Sequence, residues 1–185
     1  MALRLARATR YRDALPWLER AAREGYGPAW AALASWYVHG RAVRRDRRRA
    51  FECFRKGAAL GNNDALGGLA RCYELGYGTR RDLRRAFRGW RRAAAHAGRE
   101  YSGEVARCHY WGIGTPVDLG AAYRNFLRAA KRGNVESQYE VARMRELGEG
   151  VGRHLGLAKH WFTRAARGGH DRARPALRTL GQGRR

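Results

Sequence analysis

The sequence predicts an all-α fold, a right-handed α/α solenoid of about four and a half 36-residue helix-turn-helix repeats. The first observation behind this prediction is a regular period, because the alanines of one series each lie 36 residues after the one before. Glycines and aspartates recur in step with these alanines. A fixed period kept along a whole chain is typical of stacked helical repeats. The series consists of Ala14, Ala50, Ala86, Ala122 and Ala158.

The second and third observations concern each repeat by itself. From the alanine that opens a repeat, apolar residues follow at helical spacing, as in the segment AFECFRKGAAL that begins at Ala50. A glycine then stands where this first helix should end in a left-handed conformation, at Gly25, Gly61, Gly133 and Gly169. With repeats starting near residues 14, 50, 86, 122 and 158, we expect residues 1–185 to form a single domain.

The beginnings of the first helices can be placed from proline and aspartate. Residues 1–13 are expected to be a helical lead-in, and helix 1 is expected to start near Ala14 or Leu15. This start would put Pro16 in the first turn, where proline is tolerated. An aspartate precedes the first helix of the next three repeats and can cap its exposed amides, whereas His154 departs from the pattern. The aspartates are Asp46, Asp82 and Asp118.

The second helix of each repeat is expected to pack back on the first and to stop at a glycine. In the repeat that begins at Ala50 it packs through Leu69 and Tyr73 and stops at Gly76. Because these glycines end helices and do not follow strands, the Gly-x-Gly segments are not read as nucleotide-binding loops. They are Gly76–Gly78, Gly112–Gly114 and Gly148–Gly150. Pro175 falls in the first turn of the last helix, and residues 181–185 form a basic tail.

Composition bounds the class of protein. No apolar run approaches the roughly 18 residues of a membrane span, and arginines interrupt the N-terminal region where a signal peptide needs an apolar core. We therefore expect a soluble, cytoplasmic protein. Three cysteines without paired spacing do not form a disulfide framework, and the interpretation favoured here is that they are small buried hydrophobes. They are Cys53, Cys72 and Cys108.

The net charge of +23 is the unusual property of the composition. Lys and Arg together number 39, against 16 Asp and Glu, and all but three of the basic residues are arginine. An excess of this kind indicates an acidic or polyanionic partner. The codon usage of a GC-rich bacterial genome produces the same excess without any function. Composition leaves both explanations open.

The repeat resembles the Sel-1-like repeat family, a relative of tetratricopeptide arrays. The first half of the family pattern is present at Ala158, Trp161, Phe162, Arg164, Ala165, Ala166 and Gly169. The second half is present at Ala65, Leu69, Tyr73, Gly76, Gly78 and Asp82. The resemblance covers about residues 14–180, with departures such as Arg41-Ala42, where the second glycine of Gly-x-Gly is usual. It implies an α/α solenoid that scaffolds bacterial protein complexes, and it implies no active site.

The sequence offers no constellation for catalysis, a metal or a cofactor. The six histidines lack HExxH and Cys/His ligand spacing. Asp46, Asp82 and Asp118 have capping roles, and the glutamates are expected to be solvated on helix faces, including Glu74, Glu104, Glu136 and Glu140. We therefore expect a non-enzymatic protein without cofactors.

Two sets of basic residues are candidate contacts for a partner. Two clusters precede the second and third repeats at positions 36 residues apart, so they should stack along one edge, and each places cations against a helix dipole. A separate ladder contributes one basic residue per repeat, for which a solvated edge is the favoured interpretation. The clusters contain Arg44, Arg45, Arg48, Arg49, Arg80, Arg81, Arg84 and Arg85; the ladder contains Arg20, Lys56, Arg92 and Arg128.

The sequence therefore predicts an interaction scaffold that binds an acidic protein through its groove and its arginine-rich edge. The alternative is a non-specific nucleic-acid or polyanion binder, which is less favoured because most aromatic residues fall at core positions and leave few rings for base stacking. The aromatic residue Trp111 is among those least firmly placed in the core. Reversing Arg44, Arg45, Arg80 and Arg81 to glutamate is expected to abolish either interaction without unfolding the chain.

Overall fold

The computed structural model describes the backbone of residues 2–97 and 101–182, and the side chains of residues 11–96 and 101–181. The described residues form ten α-helices in five consecutive pairs and no strand, which confirms the all-α prediction. The first helices of the pairs are α1 (Ala2–Arg23), α3 (Arg47–Ala59), α5 (Leu83–Ala97), α7 (Leu119–Lys131) and α9 (Leu155–Arg167). The second helices are α2 (Gly27–His39), α4 (Asn63–Leu75), α6 (Ser102–Trp111), α8 (Val135–Leu147) and α10 (Ala173–Gln182).

The first helix is longer than the sequence predicts. α1 begins at Ala2 and contains Pro16 in its interior, so the predicted start near Ala14 or Leu15 is wrong. An interior proline removes one backbone hydrogen bond and costs about 3 kcal/mol relative to alanine. The alanines, leucines and arginines that precede it are among the strongest helix formers, and they continue the helix on its N-terminal side. At the other end of the chain, residues 181–182 of the predicted tail belong to α10, and residues 183–185 lie outside the described part.

The chain divides into two compact units, a first unit of residues 1–96 and a second unit of residues 97–185. The buried core of the first unit includes Leu33 and Cys53, and that of the second includes Phe126 and Phe162. Alanines at the predicted period line both cores, because Ala50, Ala86, Ala122 and Ala158 are completely buried. Small residues at these positions allow helices to approach closely, so the period seen in the sequence is a packing period.

The helix ends confirm the capping predictions. Side chains of Asp46, Asp82 and Asp118 each accept a hydrogen bond, at 2.8–2.9 Å, from the amide three residues later. His154 does the same, because its Nδ1 accepts from the amide of Leu157 at 3.1 Å. The apparent departure at this position is therefore a change of residue type with the capping role kept. Gly25, Gly61, Gly133 and Gly169 have the predicted left-handed φ angles, between 77° and 95°.

The three cysteine side chains are buried thiols, as predicted. Burial raises the pKa of Cys53 and of Cys72 to about 11. Thiols with such pKa values are protonated at neutral pH and are poor nucleophiles. These two cysteines therefore contribute to packing in the first unit.

One alanine adopts a conformation that favours glycine. Ala42 has φ +56°, and glycines occupy the equivalent positions of the next three repeats, Gly78, Gly114 and Gly150, with φ between 65° and 73°. The left-handed region costs an L-residue roughly 1–2 kcal/mol, and glycine avoids most of this cost.

We expect the substitution Ala42→Gly to raise the free energy of unfolding by about 0.5–1 kcal/mol, since relief of strain exceeds the added entropy of an unfolded glycine. Urea denaturation followed by circular dichroism measures the change. A matched substitution in a helix, Ala32→Gly in α2, should lower stability by up to about 1 kcal/mol. A loss of stability in Ala42→Gly would contradict the assignment of strain to this residue.

Candidate partner-binding surface

The two predicted arginine clusters lie on the surface of the first unit. We call them the first cluster (Arg44, Arg45, Arg48 and Arg49) and the second cluster (Arg80, Arg81, Arg84 and Arg85). Each begins in the loop before a first helix, α3 or α5, and continues into its first turn. All eight residues are exposed. The structure nevertheless divides them into three groups with different surroundings.

The first group consists of two arginines that cap the preceding helix. Nε of Arg45 donates to the carbonyl of Val38 at 3.0 Å, and Nε of Arg81 donates to the carbonyl of Glu74 at 3.1 Å. Both acceptors lie in the last turn of a helix, where carbonyl groups lack partners within the helix. Arg153 makes the equivalent contact with Glu146 at 2.9 Å, so this anchoring recurs wherever the repeat has arginine at this position.

The second group consists of two arginines that pair with the capping aspartates. Arg49 lies 3.6 Å from Asp46, and its guanidinium group lies over the ring of Tyr37. Its hydrogen bond with Tyr37 raises the pKa of Arg49. Arg85 pairs with Asp82 at 3.2 Å and lies over the ring of Tyr73. These contacts fix the directions of both side chains and partly neutralise their charges.

The third group consists of four arginines that have no partner among the described residues. Within the part of the chain that the structure describes, no hydrogen bond or ion pair engages the side chains of Arg44, Arg48, Arg80 and Arg84. They occupy two positions of the repeat, each present twice. Arg48 and Arg84 lie in the first turn of α3 and α5, where positive charge opposes the helix dipole by about 0.3–1 kcal/mol each.

The two clusters are adjacent. The guanidinium group of Arg47, at the start of α3, lies over the ring of Tyr77 at 5.1 Å. The next residue, Gly78, comes so close to the backbone carbonyl of Arg47 that a Cβ atom would collide with it. Because Arg80 and Arg81 follow directly, the loop that carries the second cluster packs against the helix that carries the first. This contact places the two loops next to each other in the first unit, as stacking of the equivalent residues along one edge would require.

The expectation that reversal of Arg45 and Arg81 would leave the fold intact is corrected by these contacts. Each of these side chains satisfies a carbonyl at the end of a helix, and glutamate cannot donate a hydrogen bond there. Substitution at these positions would mix a loss of stability with a loss of binding. Variants that test binding alone must use the four unpaired arginines of the third group.

The ladder is not a uniform edge. Arg20 pairs with Glu24 at 2.8 Å, and Nζ of Lys56 lies over the ring of Trp30 at 4.4 Å. Arg128 is exposed, and among the described residues no ion pair engages it. Arg92 lines a shallow groove of about 290 Å³ between α4 and α5, together with Arg85 and the apolar side chains of Leu69 and Tyr73. Arg92 therefore shares a groove with Arg85 of the second cluster.

A second groove, of about 450 Å³, lies in the second unit and was not predicted from the sequence. The exposed indole of Trp111, with 68% of its surface accessible, lies at its edge. Three arginines line it, and all three pair with carboxylates. The pairs are Arg107–Glu104 at 3.0 Å, Arg143–Glu140 at 3.0 Å, Arg143–Glu149 at 3.0 Å and Arg172–Glu136 at 3.6 Å.

A tyrosine of the groove contacts both members of the Arg143–Glu149 ion pair. The hydroxyl of Tyr110 donates to Glu149 at 2.7 Å, and Arg143 lies over its ring at 4.9 Å. Burial and the hydrogen bond to Glu149 raise the pKa of Tyr110. Burial alone would lower the pKa of Arg143, but its contacts with Tyr110 and Glu140 outweigh burial and raise it. The groove thus has compensated charges, unlike the edge of the first unit.

Several glutamates differ from their predicted solvated state. Glu104 and Glu140 pair with the arginines three residues later on the same helix, and Glu74 accepts a hydrogen bond from the indole of Trp90 at 3.0 Å. The E-x-x-R spacing of the first two pairs is visible in the sequence and is a signal of helical ion pairs. That signal alone does not show that both pairs face one groove.

Comparison with known proteins identifies the repeat. A family model described as Sel1 repeat matches residues 11–26, 29–62, 63–97, 103–134 and 135–170, which is more than half of the chain. Proteins of this family are generally non-enzymatic scaffolds for protein–protein interactions. No curated protein sequence matches the chain. Within the described residues, no helix is both long and apolar enough to cross a bilayer.

Solved structures share the fold at low sequence identity. A Sel1 repeat protein from Oxalobacter formigenes is 23% identical with a TM-score of 0.83, over 90% of this chain and 66% of that protein. The protective antigen c5321 from uropathogenic Escherichia coli is also 23% identical with a TM-score of 0.86, over 90% of this chain and 36% of that protein. A putative Sel1 repeat protein from Klebsiella pneumoniae is 21% identical, over 92% of this chain and 85% of that protein, with a TM-score of 0.57.

The chain thus spans less than two thirds of the length of the first two of these proteins. Identities this low carry information about the fold and none about partners. The family assignment depends on the five matched repeats, and the helix pairs and capping glycines agree with it. The chain belongs to the Sel1 repeat family.

Proposed function

We propose that this protein is a non-enzymatic interaction scaffold that binds an acidic protein partner through the arginine-rich edge of its first unit. The observation that carries the proposal is the third group of arginines, Arg44, Arg48, Arg80 and Arg84, which are exposed and have no partner within the described chain. Arginine forms paired hydrogen bonds with carboxylates. A carboxylate-bearing partner would therefore supply the missing counter-charges.

The distribution of charge supports this choice of surface. The first unit has 22 Lys and Arg against 8 Asp and Glu, a difference of +14, and the second unit has 17 against 8, a difference of +9. The groove of the second unit is lined by three arginines and three glutamates, all in ion pairs, and Arg143 pairs in addition with Glu149. If the groove contributes to binding, it does so through the apolar surface of Trp111. The electrostatic attraction for the partner comes from the arginine-rich edge of the first unit.

The experiment is a capture of partners from the cytoplasm of the native host, where we propose that the protein works. The capture is run from one portion of lysate treated with nuclease and from one left untreated, each at about 50 mM and about 200 mM salt. We expect an acidic protein whose capture persists in part at the higher salt, since protein interfaces have apolar centres. Binding only to nucleic acid would lose about 10³–10⁵ of its affinity over this range. That outcome would replace the proposal with a polyanion-binding function.

A further inference from the structure

The two arginine clusters are copies of one arrangement. Each contains a tyrosine under one guanidinium group, an arginine anchored on the preceding helix, a capping aspartate and two unpaired arginines. With four arginines and one aspartate, each copy has a net charge of +3. The first copy comprises Tyr37, Arg44, Arg45, Asp46, Arg48 and Arg49; the second comprises Tyr73, Arg80, Arg81, Asp82, Arg84 and Arg85.

We infer that the two copies are the two halves of one binding site, which holds a single extended polypeptide segment rich in glutamate or aspartate. The inference rests on the proposed function and adds the form of the ligand to it. It states that one segment crosses both repeats, and that neither half binds tightly by itself.

The anchored arginines present a fixed set of donors. Nε of Arg45 and Nε of Arg81 are bonded to helix carbonyls at 3.0 and 3.1 Å. Each guanidinium group keeps its two terminal nitrogen atoms, which are the donors that a carboxylate engages. A surface pocket lined by Tyr37, Arg44 and Arg45 surrounds this position in the first half. Because the anchored side chains are already ordered, binding costs less conformational entropy there.

The contact between the copies favours one ligand over two. The backbone of Arg47 touches Gly78, and its guanidinium group lies over Tyr77, so a positive side chain occupies the junction. Neighbouring helices have axes about 8–10 Å apart, and an extended chain advances about 3.3 Å per residue. A step from one half to the next therefore takes about three residues. A segment of about eight residues covers both.

The surroundings of the aromatic rings favour a polypeptide over a single-stranded nucleic acid. Binding of single strands depends on exposed rings on which bases stack. Along this edge, guanidinium groups lie over the rings of Tyr37, Tyr73 and Tyr77. Carboxylates need only the arginine donors, which are present in both halves.

The site ends after the second copy. The equivalent positions in the next repeat are Pro116, Val117, Gly120 and Ala121, and they retain only the aspartate, Asp118. These positions of the next repeat together have a net charge of −1, whereas each half of the site has a net charge of +3. The next repeat after that keeps a single arginine, Arg153, at the anchored position. The ligand is therefore expected to meet two repeats and no more.

The test is a calorimetric titration of the full chain with synthetic octaglutamate. We expect one octaglutamate per chain, and tetraglutamate should bind at least tenfold more weakly because it reaches one half only. The paired variant Arg44→Glu/Arg48→Glu should weaken octaglutamate binding at least tenfold without changing the stoichiometry. The paired variant Arg80→Glu/Arg84→Glu should do the same.

Three outcomes would overturn the inference. The first is two octaglutamates per chain, with each paired variant removing one of them, since the halves would then be independent. The second is tighter binding of an eight-nucleotide oligothymidylate than of octaglutamate. The third is no binding of octaglutamate at all. If an acidic host protein is still captured through the unpaired arginines, the proposed function stands while the form of its ligand is wrong.

Discussion

Replacing Gly78 with alanine is expected to lower the free energy of unfolding by about 1.5–4 kcal/mol once the lower entropy of an unfolded alanine is allowed for, which is a large part of the 5–15 kcal/mol of an ordinary domain. Two costs add at this position. The residue has φ +73°, and an alanine there is strained by about 1–2 kcal/mol. Its Cβ would also collide with the backbone carbonyl of Arg47 and lie 3.0 Å from Cβ of Phe51. Overpacking of this kind costs about 1–3 kcal/mol.

Urea denaturation followed by circular dichroism measures the effect, and the chain supplies a matched control. Gly61 has a similar φ of +77°, but a Cβ atom there would have no neighbour within 4 Å. Gly61→Ala should therefore lower stability by about 0.5–1 kcal/mol, which is the strain less the entropy that the unfolded chain loses with alanine. The difference between the two variants isolates the close contact between α3 and the loop before α5. Equal losses in both variants would show that this contact does not limit stability.

The period, the caps and the ends of helices could be predicted because each depends on residues close together in the sequence. Asp46 caps α3 through an amide three residues away, and Gly61 ends the same helix by its own φ angle. The alanines at the 36-residue period are buried because each repeat presents the same face to its neighbour. Local rules of this kind are visible in one sequence.

The predicted start of α1 failed because two local preferences compete there. Pro16 disfavours a helix around it, whereas the preceding residues favour one, and the helix continues through the proline. At Ala42 a left-handed conformation is disfavoured by the residue type, yet the loop keeps it with φ +56°. In both cases the surrounding structure decides, and propensity supplies only a weak preference.

The division of the arginines could not be predicted because it depends on contacts across a loop. Arg45 reaches a carbonyl seven residues earlier, in the preceding helix, and Arg81 makes the same contact. The recurrence of arginine at positions 45, 81 and 153 is a signal of this role that the sequence contains. The same contacts leave Arg44 and Arg80, one residue earlier, without a partner in the described chain. The position of an arginine within the repeat therefore decides whether its side chain is bonded to the preceding helix or is left to bind a partner.

The arrangement of the arginines is evidence that codon usage does not explain the whole of the positive charge. Codon bias places arginines without regard to their surroundings, so it predicts no matching of roles between repeats. The two clusters match at four positions: Arg45 with Arg81 as anchors, Arg49 with Arg85 as aspartate partners, and two unpaired positions. Repetition at the anchored positions has a structural reason. Repetition at the unpaired positions has none within the described chain and is consistent with binding.

Reversal of the four unpaired arginines, in the variant Arg44→Glu/Arg48→Glu/Arg80→Glu/Arg84→Glu, is expected to weaken binding of the proposed acidic partner by about 100-fold or more, equal to roughly 2.7 kcal/mol. Four donors of charge-assisted hydrogen bonds are lost, and like charges then face each other across the interface. Stability should not fall. Glutamate at positions 48 and 84 lies in the first turn of a helix, where negative charge is favoured by about 0.3–1 kcal/mol each.

The matched control carries the same change of net charge in the second unit. Lys159, Arg167, Arg174 and Arg178 are exposed, and within the described residues no ion pair engages them; their reversal to glutamate should leave binding within about threefold of the unaltered protein once salt screens distant charges. Affinity is measured by calorimetry at about 0.15 M salt and stability by thermal denaturation.

If both variants lose affinity equally, net charge alone attracts the partner and the edge has no special role. If the first variant binds normally while remaining folded, the unpaired arginines are not the binding surface. A large loss in the first variant alone would localise the interaction to two loops of the first unit, because the anchored arginines and the fold are unchanged in it.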